Sequence, residues 1–312
     1  MYYIGVDLGG TNIAAGVVDE QGKILKQGSV PTMNERHYSE IVRDMAELCK
    51  KITEEAGLSM SDIQGIGIGC PGSIDNKTGM VVYANNLKMD HTPLAAELKK
   101  YIDLPVNVEN DANAAAMGEY VVNGGGVDSF VFITLGTGVG GGVVIDGKLY
   151  RGFNGVGAEL GHVTLVHDGV PCTCGNHGCW EAYASVTALI RQTKEAMEKH
   201  PDSLMCEFAE KEGKVSGRTA FEAAKKGDPA AQEVVDQYVR YVADGLVGVV
   251  NTFQPERLVI GGGISKEGDY LLNPIKEYVK KYDYNKYMPR TEISIATLFN
   301  EAGIIGAALS VK

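Results

Sequence analysis

The sequence predicts an α/β protein built from two similar halves. Three observations predict it. Short apolar runs ending in glycine alternate with amphipathic helical stretches, the pattern of strands joined by helices. Forty glycines in 312 residues gather into clusters: DLGGT at 7–11, NGGG at 123–126, LGTGVGGG at 135–142 and IGGGI at 260–264. The chain also echoes itself. Displaced by 127 residues, YIGVDLGGTNIAAGVVDEQGKIL lies over FVFITLGTGVGGGVVIDGKLY. Each copy reads as a strand, a glycine turn, a second strand, and a tight turn into a third.

Each element follows from local pattern. YYIGV (2–6), FVFIT (130–134) and RLVI (257–260) are apolar, β-rich runs closed by glycine clusters, as buried strands are. Residues 38–57 place Ile41, Val42, Met45, Leu48 and Ile52 on one helical face, and Gly57 marks the stop. LPVNVEN (104–110) reads as a strand, and the alanine-rich run from Asp111 reads as a helix. A long helix is expected over 228–253. The final helix, over 300–312, carries Ala302, Gly303, Gly306 and Ala307, small enough for close packing. Domain boundaries are expected to give a smaller domain of 1–116 with 299–312 and a larger one of 117–298.

Composition excludes several classes. The net charge of −11 argues against a general grip on nucleic acid, whose phosphates need lysine and arginine. MYYIGVDLGG has no basic start followed by an apolar core, so no signal peptide is expected. No run of 18 apolar residues suggests a membrane span. Cys49, Cys70 and Cys206 are scattered, which does not suggest a disulfide framework. The expectation is a cytoplasmic protein without nucleic-acid or membrane partners.

The glycine turns carry the first chemistry. Successive N–H groups in such a turn form a nest for anions. Gly136-x-Gly138-x-x-Gly141 has the dinucleotide spacing, but VVIDGKLY follows it as a strand where that motif needs a helix. A Walker A loop is absent. Two glycine-cornered hairpins and a third cluster fit another arrangement: each hairpin holds part of a polyphosphate and the third cluster a nucleoside. The candidates are Gly9, Gly10 and Thr11, then Gly136, Thr137 and Gly138, then Gly261, Gly262 and Gly263. Asp7, beside the first turn, is a candidate for hydrated Mg²⁺.

A metal site is legible in GHVTLVHDGVPCTCGNHGC. Zinc favours thiolates and imidazoles in a tetrahedron. Cys172, Cys174 and Cys179 supply three ligands, with Gly175 and Gly178 to curl the loop. On spacing alone, His162, His167 and His177 compete for the fourth place. A filled Cys3His set makes a structural zinc, not a Lewis acid.

The pattern DLGGT…LGTGVGGG…GGG resembles the sugar kinases of the actin and hexokinase superfamily. More narrowly it resembles the ROK family (repressors, open reading frames, kinases), in particular its bacterial glucokinases, over essentially the whole chain. The resemblance implies two RNase H-like domains with ATP and sugar in an active-site cleft between them. It implies that Asp111, at a helix N-terminus where the macrodipole favours the ionised form, is the catalytic base. Phosphoryl transfer asks more for positioning than for strong basicity. It further implies that Asn110, Asp111, Glu159, His162 and Glu181, joined by Asn86, contact sugar hydroxyls. Finally, it chooses His162 as the fourth zinc ligand, between metal and sugar. GCPGSID (69–75) matches the family's turn beside the sugar. Where many relatives carry tryptophan after the asparagine–leucine pair, this chain has Met89.

The expected function is ATP-dependent phosphorylation of a hexose at the 6-hydroxyl, most of all glucose. Fructose, N-acetylglucosamine or N-acetylmannosamine are the alternative sugars, and polyphosphate is an alternative donor. The family's repressors are a rival class, in the form of a sugar-responsive regulator without a DNA-binding domain. Repressors of the family carry an N-terminal helix-turn-helix domain, for which the strand starting at Tyr2 is expected to leave no room. Family analogy implies a homodimer or homotetramer.

Overall fold

A computed structural model describes residues 1–124 and 126–312. Gly125, in the NGGG run, lies outside the described residues. The chain opens with β1 (Tyr2–Leu8), β2 (Asn12–Asp19), β3 (Ile24–Pro31), α1 (Tyr38–Glu55) and β4 (Ile63–Cys70). A small three-stranded sheet follows, from β5 (Ser73–Asp75), β6 (Met80–Ala84) and β7 (Met89–Thr92). Then come α2 (Leu94–Lys99), β8 (Val106–Asn110) and α3 (Asp111–Asn123). The first large sheet has the order β3-β2-β1-β4-β8, with β1/β2 antiparallel and β1/β4 and β4/β8 parallel. All five apolar residues expected on the face of α1 are buried, packed in one core with Ile4, Val6, Leu8 and Ile13. Met89 is 2% exposed and belongs to the same core.

The second large sheet begins with β9 (Ser129–Leu135), β10 (Val139–Ile145) and β11 (Lys148–Leu149). A helical stretch follows: α4 (Glu181–Ala184), α5 (Val186–Lys199), α6 (Leu204–Glu212), α7 (Thr219–Lys225) and α8 (Pro229–Phe253). The chain ends with β12 (Arg257–Gly261), α9 (Asp269–Tyr282), β13 (Glu292–Ile295) and α10 (Glu301–Leu309). The strand order is β11-β10-β9-β12-β13. The internal echo is structural as well as sequential. β9 is β1 displaced by 127 positions, end to end, and β10 opens 127 positions after β2. α8 starts with an Asp228 cap that accepts the Ala231 N–H, and Pro229 holds the first position.

Contacts divide the chain into one compact unit of 1–132, 142–158 and 297–312 and another of 133–141 and 159–296. This differs from the division expected at 116/117 and 298/299. A boundary at 117 would cut α3, which is one continuous helix and packs along its length on α10. That packing brings backbones together: a Cβ added at Gly306 would overlap the Ala114 carbonyl, and one at Gly118 the Ala302 carbonyl. The chain also returns to the first unit before residue 299. Buried Glu119 on α3 accepts the N–H groups of Thr297 at 3.0 Å and Leu298 at 2.8 Å.

Candidate active site

In the first unit, chemistry gathers where β1, β4 and β8 end. Asn110 closes β8 and caps α3, its Oδ1 accepting from Ala112 N at 2.9 Å and Asn113 N at 3.2 Å. Its Nδ2 donates to the Gly72 carbonyl at 3.2 Å, tying the corner to the 69–75 turn. Because Asn110 is the cap, Asp111 is the first helical residue. Its Oδ1 accepts the Ala112 N–H at 2.8 Å. The balance of forces on Asp111 differs from the sequence expectation. Burial pushes its carboxyl above the ordinary carboxylate range, and the helix N–H groups offset only part of that. Its side chain still reaches solvent, so protein crowds the carboxyl without sealing it.

Asp7 lies in β1, in register with Ala14 and Gly69. Burial, and then the charge of Asp111, push its carboxyl up to about 6. The two carboxylates therefore feel one another, an arrangement suited to a cation. The turn beside Asp7 is held from within: Gly9 N–H donates to the Asn12 carbonyl at 3.0 Å, and Thr32 Oγ1 donates to the Gly9 carbonyl at 2.6 Å. Among the described residues, the N–H groups of Gly10 and Thr11 have no hydrogen-bond partner. Asn86 passes close by, since a Cβ at Gly10 would stand 2.9 Å from its carbonyl oxygen.

The second unit repeats this device. Gly136, 127 positions after Gly9, donates its N–H to the Gly138 carbonyl at 3.0 Å. The Gly136 and Thr137 carbonyls are engaged by Val186 N–H at 2.8 Å and Thr187 Oγ1 at 2.7 Å. Among the described residues, the N–H groups of Thr137 and Gly138 have no hydrogen-bond partner. Two adjacent donors are thus left open in each turn, as an anion nest requires. The third glycine cluster lies against the same strand end. Gly262 adopts φ +85°, and a Cβ there would overlap the Leu135 carbonyl, so only glycine fits.

Glu181 occupies a position that the sequence alone does not reveal. Its Oε2 accepts the Val139 N–H at 3.0 Å, and a Cβ at Gly138 would overlap that same oxygen. Gly138 therefore has a reason within the chain itself, separate from any phosphate. Space around Gly136 is open: a Cβ there meets nothing within 4 Å.

The cysteine loop gathers the four expected ligands. One atom each from His162, Cys172, Cys174 and Cys179 lies within 4.8 Å of every other. Cys172 Sγ is 3.6 Å from His162 Nδ1, and the sulfurs of Cys174 and Cys179 are 3.6 Å apart. A tetrahedral zinc with Zn–S near 2.3 Å and Zn–N near 2.0 Å sets such neighbours about 3.6–3.8 Å apart, so the donor set fits the ion. His167 instead faces Asp168 at 3.2 Å in open solvent, and His177 lies outside the quartet, bridged to Pro171. Glu159 precedes the short turn to His162, whose N–H it binds through its carbonyl at 3.1 Å. Between Cys179 and Glu181, Trp180 is 2% exposed and donates its indole N–H to the Tyr241 carbonyl at 2.8 Å. It fills a notch on α8 that exists because residue 245 is glycine.

Two residues escaped the sequence reading. Glu109, 1% exposed, accepts from Asn110 N at 2.9 Å and Asn113 Nδ2 at 3.2 Å, while Arg151 Nε meets its other oxygen at 2.7 Å. This pair braces the Asn110–Asp111 corner. Arg151 lies 42 positions from Glu109, and no local pattern links them.

A family model described as ROK family matches residues 3–312. A glucokinase of Thermotoga maritima is 40% identical over 311 residues, covering 99% of this chain and 96% of that protein. A glucokinase of Halalkalibacterium halodurans is 39% identical over 313 residues, covering 100% and 95%. A crystal structure of a ROK family glucokinase from Streptomyces griseus, in complex with glucose and AMPPNP, superposes with a TM-score of 0.84 at 39% identity. It covers 99% of this chain and 98% of that one.

Proposed function

From the premise that this chain belongs to the ROK family, we propose that it is an ATP-dependent glucokinase, transferring the γ-phosphoryl group of ATP to the 6-hydroxyl of glucose. The observation that carries the reading is the repeated glycine turn with its open N–H pairs, in a chain similar along its full length to glucokinases. The similar structure with glucose and AMPPNP supports both the sugar and the donor.

We assign the residues as follows. Asp111 accepts the proton of the 6-hydroxyl as phosphoryl transfer proceeds. Its raised carboxyl is a stronger base than an ordinary aspartate once ionised. Asn86, Asn110, Glu159, His162 and Glu181 bind the remaining hydroxyls, each of which can donate and accept. The open N–H groups at 10–11 and 137–138 bind phosphate oxygens, and the 261–263 cluster receives the nucleoside. Mg²⁺, held at Asp7, would neutralise charge on the phosphates. His162, Cys172, Cys174 and Cys179 would hold zinc as a structural ion. With Nδ1 turned toward the thiolates, the opposite ring nitrogen of His162 is left for a sugar hydroxyl.

Among the described residues, no helix is long and apolar enough to cross a membrane. The test is kcat/KM for a panel of hexoses and N-acetylated hexosamines, with ATP and with polyphosphate as donor. Glucose with ATP is expected to lead. A higher value for another sugar or donor would overturn the assignment.

A further inference from the structure

Three contacts meet at the 136–138 turn and β10. Val186 and Thr187 engage the turn's carbonyls from one side. Glu181 Oε2 takes the Val139 N–H from the other, so close that a Cβ at residue 138 would overlap it. Gly138 has no positive φ, so its conformation does not demand glycine, but a Cβ there would displace the Glu181 carboxylate. Among the described residues, the donors left over are the N–H groups of Thr137 and Gly138. Their direction depends on where Glu181 holds the next peptide.

Glu181 is itself fixed from behind. It follows Cys179 and Trp180, the first in the cysteine quartet and the second wedged into the Gly245 notch. Its Oε1 accepts from Thr173 Oγ1 of the cysteine loop at 3.4 Å. The carboxylate thus stands between that loop and the glycine turn, anchored to the former and gripping the latter.

We propose that Glu181 is a positioning residue for the glycine turn, coupling sugar binding to nucleotide binding through one carboxylate. The proposal rests on the glucokinase reading above. A carboxylate has about four lone-pair sites, so Glu181 can accept a sugar hydroxyl and the Val139 N–H together. A bound sugar would restrain this already anchored carboxylate further, and so hold the turn in place before the nucleotide arrives. Coupling between two sites is reciprocal, so each ligand tightens the other by the same factor.

The test measures binding of Mg–AMPPNP by calorimetry without sugar, then with glucose. Glu181→Ala should weaken sugar-free AMPPNP binding roughly tenfold, the scale of one charge-assisted hydrogen bond, and abolish the tightening by glucose. Glu181→Gln keeps the shape and an acceptor oxygen, and should lose less. Glu198→Gln, at an exposed position on α5, should leave sugar-free AMPPNP binding unchanged. A double-mutant cycle gives an independent measure. Gly138→Ala should weaken AMPPNP binding in the wild-type chain and add nothing in the Glu181→Ala background, because the contact it disrupts is already gone. Unaltered AMPPNP binding in both Glu181 variants, or additive losses in the cycle, would overturn the proposal and leave the kinase reading intact. Failure of the wild-type chain to bind AMPPNP would overturn both.

Discussion

Asp7 should cost the protein stability in return for function, and the cost should depend on pH. Its carboxyl is raised from 3.8 to about 6, chiefly by burial and next by the charge of Asp111. In the unfolded chain an aspartate ionises near its ordinary value. Below about pH 4 the group is protonated in both states, and its ionisation imposes no penalty. Between that point and pH 6 the folded state binds the proton more tightly, so stability falls as pH rises. Above pH 6 the full difference is reached, ~3 kcal/mol, an upper figure because the side chain is only half-buried. Asp7→Asn removes the ionisation and keeps the shape. In magnesium-free buffer it should raise the free energy of unfolding by up to ~3 kcal/mol at pH 8, with roughly half of that gain at pH 5. Urea denaturation at the two pH values measures it. The same variant should lose nearly all kinase activity at saturating Mg–ATP. A gain that is absent at pH 8, or does not shrink toward pH 5, would show that Asp7 is not held in a costly ionised state.

Three further outcomes are expected. Asp111→Asn should retain the fold and glucose binding but lose several orders of magnitude in kcat, and near-normal turnover would remove it from the mechanism. Gly136→Ala adds a methyl group where the chain leaves open space, so it should raise the KM for ATP with little change in folding stability. An unchanged KM would contradict phosphate binding at that turn. His162→Ala should lower both zinc content and glucose affinity, whereas His177→Ala should affect neither. Metal analysis showing the reverse would replace His162 in the ligand set.

What the sequence made legible is local. The repeat could be read because each hairpin closes on itself within twenty residues, so its strands, turn and spacing are all written contiguously. The cysteine quartet could be read for the same reason: three ligands fall within eight residues and the fourth ten before them. The buried face of α1 follows from a 3.6-residue period. What stayed hidden depends on pairs distant in sequence. Arg151 reaches Glu109 and Val139 reaches Glu181, each across 42 positions, and neither pair has a spacing that a motif could encode. The same limit explains two particular differences. The boundary placed at 117 assumed that the unit ends near the Asp111 motif, whereas α3 runs on to Asn123 because α10 and Glu119 hold its far end. The sequence weighed only the helix terminus at Asp111, which favours the ionised form, whereas burial also acts there and on balance raises the carboxyl. A glycine shows the point most sharply. Gly136 and Gly138 look alike in LGTGVGGG, yet one faces open space and the other a carboxylate supplied from beyond the cysteine loop. Sequence can say that a turn needs small residues, but only the fold says which neighbour each one makes room for.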